Sequence, residues 1–204
     1  MVLCLGDSIT ESTWGNYPAQ LDKMFKKNHV PFKAISQGRP GNTSGEYLTF
    51  FLKSDMLEKY NPDVIVIMLG TNDVRIDSDN TPTPKYKDNM LKIIKHIRDF
   101  AKKNDRLINI YLCTIPPLFV PSLHTFTEKS SMRIEKEIIP EILKLSVDHN
   151  LKLIDIHSMF MKNKDLLPGV HPSPGGYYMI AKTIFNRISG LDSKTFYGIS
   201  LSDE

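Results

Sequence analysis

The chain has 204 residues, of which 41% are hydrophobic and 24% charged, and its formal net charge is +3. That length suits one α/β domain, which buries roughly 70% of its unfolded surface and needs no disulfides to fold. The small charge is spread over helix-like segments (Lys23, Lys26, Lys27, Lys92, Lys95, Lys102, Lys103), which excludes a basic nucleic-acid-binding stripe. No apolar stretch is long enough to span a bilayer.

In chain order, short apolar runs alternate with longer amphipathic segments, the pattern of a parallel sheet wrapped by helices. Val2–Leu5 is the first run, followed by a Gly/Ser/Thr-rich turn and a helical pattern near Pro18–Lys27. Phe32–Ile35 is a second, weaker run. Val64–Leu69 is the clearest strand, β-branched and apolar on both faces as a central parallel strand must be. Pro82–Lys103 carries Met90, Ile93, Ile94, Ile97 and Ala101 on one helical face. Leu107–Cys113 is the fourth strand, stopped by Pro116 and Pro117, and Thr127–Asn150 is a helix bent or broken at Pro140. Leu151–Ile154 is the fifth strand and Ser173–Ile188 the closing helix.

Right-handed crossovers turn this order into a flavodoxin-like three-layer α/β/α sandwich with a central five-stranded parallel sheet. Asp77–Pro84 is a polar loop too short to divide domains, so residues 1–190 read as one domain and 191–204 as a loosely packed or disordered tail. Cys4 and Cys113 fall in strand-like runs without zinc spacing, which reads as buried free thiols in a reducing compartment. With the first strand starting almost at Met1, a cytoplasmic location is expected, although a trimmed leader would leave no trace.

Ligands of open parallel sheets bind outside the carboxyl ends of the strands. That rule singles out four polar clusters: Gly6-Asp7-Ser8-Ile9-Thr10, Gln37-Gly38-Arg39-Pro40-Gly41-Asn42, Gly70-Thr71-Asn72-Asp73 and Gly169-Val170-His171-Pro172. In order and rough spacing they resemble the blocks of the SGNH (GDSL-type) hydrolase superfamily. The resemblance implies a serine esterase with Ser8 as nucleophile and His171 as general base. It also implies an oxyanion hole built from the backbone N–H groups of Ser8 and Gly38 and the side-chain amide of Asn72. The chemistry is coherent: serine needs a base within reach, neutral histidine supplies it near pH 7, and the tetrahedral oxyanion needs preorganised donors. The resemblance implies no cofactor or metal.

One position departs from the family pattern. The triad acid normally lies three residues before the histidine, where this chain has Pro168. Asp165 folding back, a backbone carbonyl near Leu167 or Pro168 supporting a Ser–His dyad, and a weak or silent enzyme are the three explanations. Asp7 reads as ordering the nucleophile loop, and with Arg39 and Phe119 it is a candidate for the substrate-binding surface. The apolar segment Ile115–Ser131 (Pro116, Pro117, Leu118, Phe119, Val120, Pro121, Leu123, Phe126) either lines an acyl or alcohol site or packs on the following helix. Asp155 reads as a strand-end aspartate binding backbone groups, and His29, His96, His124, His149 and His157 as surface or packing residues.

The expected substrate is a small-molecule, carbohydrate or lipid ester with a short acyl group such as acetyl. A lysophospholipase or thioesterase, or a silent carbohydrate- or lipid-binding descendant, is the alternative. A nucleotide-binding or metal-dependent phosphoesterase reading fails because Gly38–Gly45 lacks the Gly-Lys-Ser/Thr ending and the chain shows no metal cluster.

Overall fold

The computed structural model describes residues 1–11, 13, 15–77, 80–119 and 125–190. The expected tail 191–204, and Val120, Pro121, Leu123 and His124 of the apolar segment, lie outside the described residues.

Five strands, β1 (Val2–Gly6), β2 (Ala34–Gly38), β3 (Val64–Met68), β4 (Asn109–Cys113) and β5 (Lys152–Ile154), form one all-parallel sheet in the order β2-β1-β3-β4-β5. Every residue of β1 and β3 is buried, because central parallel strands are covered on both faces. Cys4 and Cys113 are buried free thiols within this sheet.

Helices flank the sheet. Helix α1 (Tyr17–Lys27) packs against α8 (Pro174–Ser189), while α2 (Ser44–Lys53) packs against α4 (Thr83–Lys103), and α4 against α6 (Ile139–Asp148). The chain steps outward from β1 to β2 and then returns to place β3 on the other side of β1. Right-handed crossovers in opposite directions put successive helices on opposite faces. The crevice between the carboxyl ends of β1 and β3 is therefore the switch point of the topology, where doubly wound sheets bind ligands. Among the described residues no helix is long and apolar enough to cross a membrane.

Three expectations shift. The second strand is Ala34–Gly38 rather than Phe32–Ile35: pairing with β1 aligns Val2 with Ala34 and Gly6 with Gly38, and an edge strand tolerates the polar Ser36 and Gln37. Second, α2, the short α3 (Met56–Tyr60) and α7 (Ile156–Met161) were not anticipated. Helix α2 starts with a capping box in which Thr43 and Glu46 satisfy each other's backbone N–H. Third, the helix around Pro140 is irregular: α5 (Glu128–Arg133) runs through a π-helical stretch, Ile134–Ile138, into α6. Proline cannot donate its N–H and its ring crowds the carbonyl four residues back. That carbonyl belongs to Lys136, inside the widened turn.

Candidate active site

The loop after β1 folds tightly. The Asp7 carbonyl accepts from both Thr10 N–H and Glu11 N–H at 3.1 Å, and Asp7 Oδ1 accepts from Ile9 N–H at 2.9 Å. Ser8 is thereby presented at the head of a turn, 9% exposed. Gly38 at the end of β2 lies directly against this turn. A Cβ there would meet Glu11 N at 2.6 Å and the Asp7 carbonyl oxygen at 2.8 Å, so the backbone of the Ser8 turn closes only onto glycine. The Gly38 N–H makes a long contact of 3.4 Å with Ser36 Oγ.

His171 reaches Ser8 from the far end of the chain, its Nε2 2.8 Å from Ser8 Oγ. It sits on the loop joining a 3-10 turn (Lys164–Leu166) to α8, and that loop is tied by Ser173 N–H to the Leu166 carbonyl at 2.9 Å. The Ser173 side chain caps α8 by accepting from Gly176 N–H. Partial burial holds the imidazole below the ordinary histidine range, because desolvation disfavours the charged ring. That shift favours the neutral ring, the form able to accept a proton.

The third cluster follows β3. Gly70 has φ +134°, a backbone conformation that side chains rarely allow, and it turns the chain sharply into the 3-10 turn Asn72–Val74. Asn72 donates one amide hydrogen to the Asn42 carbonyl at 3.0 Å. That carbonyl belongs to a turn closed by Asn42 N–H on the Arg39 carbonyl. Asp73 is fully buried, and its carboxylate accepts from Ser44 N–H (2.9 Å) and Ser44 Oγ–H (2.6 Å). The first residue of α2 is thus bolted to the end of β3. Tyr47 from α2 and Tyr86 from α4 donate their hydroxyls to the Gln37 and Leu69 carbonyls, fixing the carboxyl ends of β2 and β3.

Asp7 is 1% exposed, so it organises the Ser8 loop from beneath instead of facing a substrate. Its Oδ2 and Thr71 Oγ1 are buried neighbours that do not close a hydrogen bond of ordinary length. Burial pushes the Asp7 carboxyl up to about 7, opposed by the Ile9 N–H bond and reinforced by the nearby Asp73. Burial likewise raises Asp73, against the pull of its Ser44 bonds.

The other sequence candidates fall at the rim. Arg39 is exposed and lays its guanidinium 3.8 Å over the Phe50 ring. Phe119 is half-buried against the core, with Lys164 Nζ 5.3 Å above its ring. Because Lys164 opens the turn before His171, the described part of the apolar segment borders the histidine loop. Pro116, Pro117 and Leu118 are buried, so those residues pack instead of lining an open surface.

Asp165 is exposed on the turn Lys164–Leu166, and no hydrogen bond joins it to His171 among the described residues. Asp155 caps α7 through Ser158 N–H and also accepts from Thr114 Oγ–H, as a strand-end aspartate should. His157 is a buried packing residue, one of the two readings given for it, with its Nε2 2.8 Å from Glu135 Oε1. Sequence reasoning placed Asn42 in its second cluster but gave neither it nor Ser44 a role, though the Thr-x-x-Glu box at Thr43 marks where α2 begins. Among the described residues, no group of three or more His, Cys, Asp or Glu is placed to hold a metal ion.

Fold and site together define a class: a serine–histidine pair in the switch-point crevice of a doubly wound sheet, with a glycine N–H and an asparagine amide on the neighbouring strand ends. The GDSL-like lipase/acylhydrolase family matches residues 4–179, and the chain belongs to it. A multidomain esterase of Ruminococcus flavefaciens is 29% identical over 192 residues, covering 91% of this chain and 24% of that protein. An acetylxylan esterase of Xylanibacter ruminicola is 28% identical over 207 residues, covering 90% of this chain and 42% of that protein. The chain thus spans less than half the length of these curated relatives. The crystal structure of a lipase/acylhydrolase from Enterococcus faecalis shares the fold with a TM-score of 0.77 at 24% identity, over 93% of this chain and 96% of that one.

Proposed function

We propose that this chain hydrolyses carboxylic esters by two-step acyl transfer, acting on short acyl groups such as the O-acetyl groups of a carbohydrate. The observation that carries the reading is the 2.8 Å contact between Ser8 Oγ and His171 Nε2, residues 163 positions apart in sequence. The carbohydrate acetyl ester is supported by the name of the acetylxylan esterase relative and by the short polar loops after β1 and β3. Residues 1–190 form the catalytic unit in this reading.

His171 Nε2 accepts the Ser8 hydroxyl proton as Oγ attacks the ester carbonyl. The tetrahedral oxyanion takes hydrogen bonds from Ser8 N–H, from Gly38 N–H, whose long contact with Ser36 Oγ yields readily, and from the second amide hydrogen of Asn72. The imidazolium then returns its proton to the leaving alkoxide, which leaves an acyl ester on Ser8. Water enters, gives its proton to His171 and attacks the acyl carbonyl. Collapse of the second oxyanion, with the imidazolium returning its proton to Ser8 Oγ, releases the acid and restores the Ser8 hydroxyl. Asp165, exposed on its turn, takes no part in this scheme.

Hydrolysis of p-nitrophenyl acetate, butyrate and octanoate, and of acetylated xylan, by wild type and Ser8→Ala in the presence of EDTA tests the proposal. Wild type is expected to turn over acetate fastest, with Ser8→Ala at background. Equal inertness of both proteins on every ester, or activity surviving in Ser8→Ala, overturns it. Inertness of both favours a silent binding role, as the Pro168 departure allows.

A further inference from the structure

The irregular helix that begins with α5 grips both ends of the Gly70–Asp73 block. At one end Ile138, in the π-helical stretch, presses on Gly70, where a Cβ would meet Ile138 Cγ2 at 3.1 Å. At the other end Arg133, the last residue of α5, donates from Nη1 to the Asp73 carbonyl at 2.9 Å. The same guanidinium donates from Nη1 to Asn80 Oδ1 (3.1 Å), from Nη2 to the Thr81 carbonyl (2.7 Å), and from Nε to Glu137 Oε2 (3.1 Å). Glu137 Oε2 also accepts from Thr83 Oγ–H at 2.6 Å, which holds the carboxylate in place.

The Arg133 side chain is only 15% exposed, so its charge is largely desolvated, and most of its donors are spent on backbone carbonyls and an amide oxygen. A planar fork reaching two carbonyls at once is a geometry that lysine cannot reproduce. Asn72 lies between the two gripped points. Its backbone is pinned at Asp73, whose carbonyl is held by Arg133 and whose carboxylate is held by Ser44. Its side chain is pinned by the Asn42 carbonyl. A donor that stabilises an oxyanion acts through preorganisation, so whatever fixes Asn72 fixes its contribution.

We infer that Arg133 is a positioning residue for the reaction: through the Asp73 carbonyl, and together with Ile138 on the widened turn, it sets the side-chain amide of Asn72 as an oxyanion donor. This inference rests on the esterase reading above. It goes beyond that reading by giving a surface-proximal arginine outside the four sequence blocks a role in the chemical step.

The experiment is a double-mutant cycle on p-nitrophenyl acetate with wild type, Arg133→Met, Asn72→Ala and the double variant. Asn72→Ala is expected to lower kcat by about 10²- to 10³-fold. Arg133→Met, acting through the same donor, is expected to lose roughly 10- to 100-fold in kcat with KM within about twofold. In the Asn72→Ala background the Arg133→Met loss should shrink to about threefold or less, because the donor it positions is gone. Arg133→Lys, retaining charge but not the fork, should fall between wild type and Arg133→Met, and it serves as the cycle partner if the Met variant does not fold.

Additive losses in the double variant, or a loss confined to KM, overturn the inference and leave Arg133 a structural residue. An inert wild type, or an Asn72→Ala variant with full activity, overturns instead the reading on which it rests.

Discussion

Asp7→Asn tests whether the nucleophile loop is built over a buried acid that folding forces to hold a proton. The carboxyl is 1% exposed and is pushed from an ordinary 3.8 up to about 7, chiefly by burial. Between those two pH values the folded protein binds a proton that the unfolded chain has released. Stability therefore falls as pH rises from about 4 to about 7, and the deficit is complete above 7. At about 1.4 kcal/mol per pH unit, this ceiling is on the order of 4 kcal/mol. Asparagine keeps an oxygen for Ile9 N–H and turns an amide toward the neighbouring Thr71 Oγ1. It also relieves Asp73, whose carboxyl the same burial raises.

At pH 8 Asp7→Asn is expected to be more stable than wild type by roughly 1–3 kcal/mol, or about 2–4 °C in Tm per kcal/mol for a chain of this size. At pH 4 the two should melt together. Thermal or urea unfolding of both proteins at pH 4, 6 and 8 makes the comparison. Parallel pH profiles, or an asparagine variant that is the less stable at pH 8, would refute the linkage argument.

Three further outcomes follow from the same geometry. Gly38→Ala drives a methyl group into the backbone of Asp7 and Glu11; overpacking of this kind costs about 1–3 kcal/mol, and a melt together with pNP-acetate turnover should show stability and activity falling together. Because burial lowers the His171 ring below the ordinary histidine range, the neutral base persists into mildly acidic solution. The acidic limb of kcat/KM should then lie below that range, whereas a limb above it would signal a carboxylate partner. Asp165→Ala, at an exposed position, should change kcat by no more than about twofold. A fall toward 10⁴-fold would instead restore Asp165 as the acid that sets the histidine tautomer.

Much of the site was legible because its chemistry is local to strand ends. The clusters at Ser8, Gly38 and Asn72 each follow or close a strand, and the sheet rule brings their ends to one rim without knowledge of any long-range contact. The β-branched apolar run of β3 announces burial on both faces, which marks it as central. Residues that act at a distance carried no such signal. Asp165 lies close to His171 in sequence, yet the turn Lys164–Leu166 turns it to solvent, and chain proximity says nothing of side-chain direction. Arg133 sits in an ordinary charged helical stretch, and only the tertiary fold shows its guanidinium seated on the carbonyls of Asp73 and Thr81.

By itself the sequence determined the layer architecture, the central strand at Val64–Leu69, and that the helix around Pro140 would be irregular. These follow from residue chemistry and short-range periodicity, which act on neighbours along the chain. The register of the edge strand β2 was decided by its pairing to β1, since its polar residues carry no alternating signal of their own. Tertiary packing also bolted Ser44 to Asp73. It set the protonation of Asp7 as well, because desolvation is a property of everything packed around a group and not of the group's place in the chain.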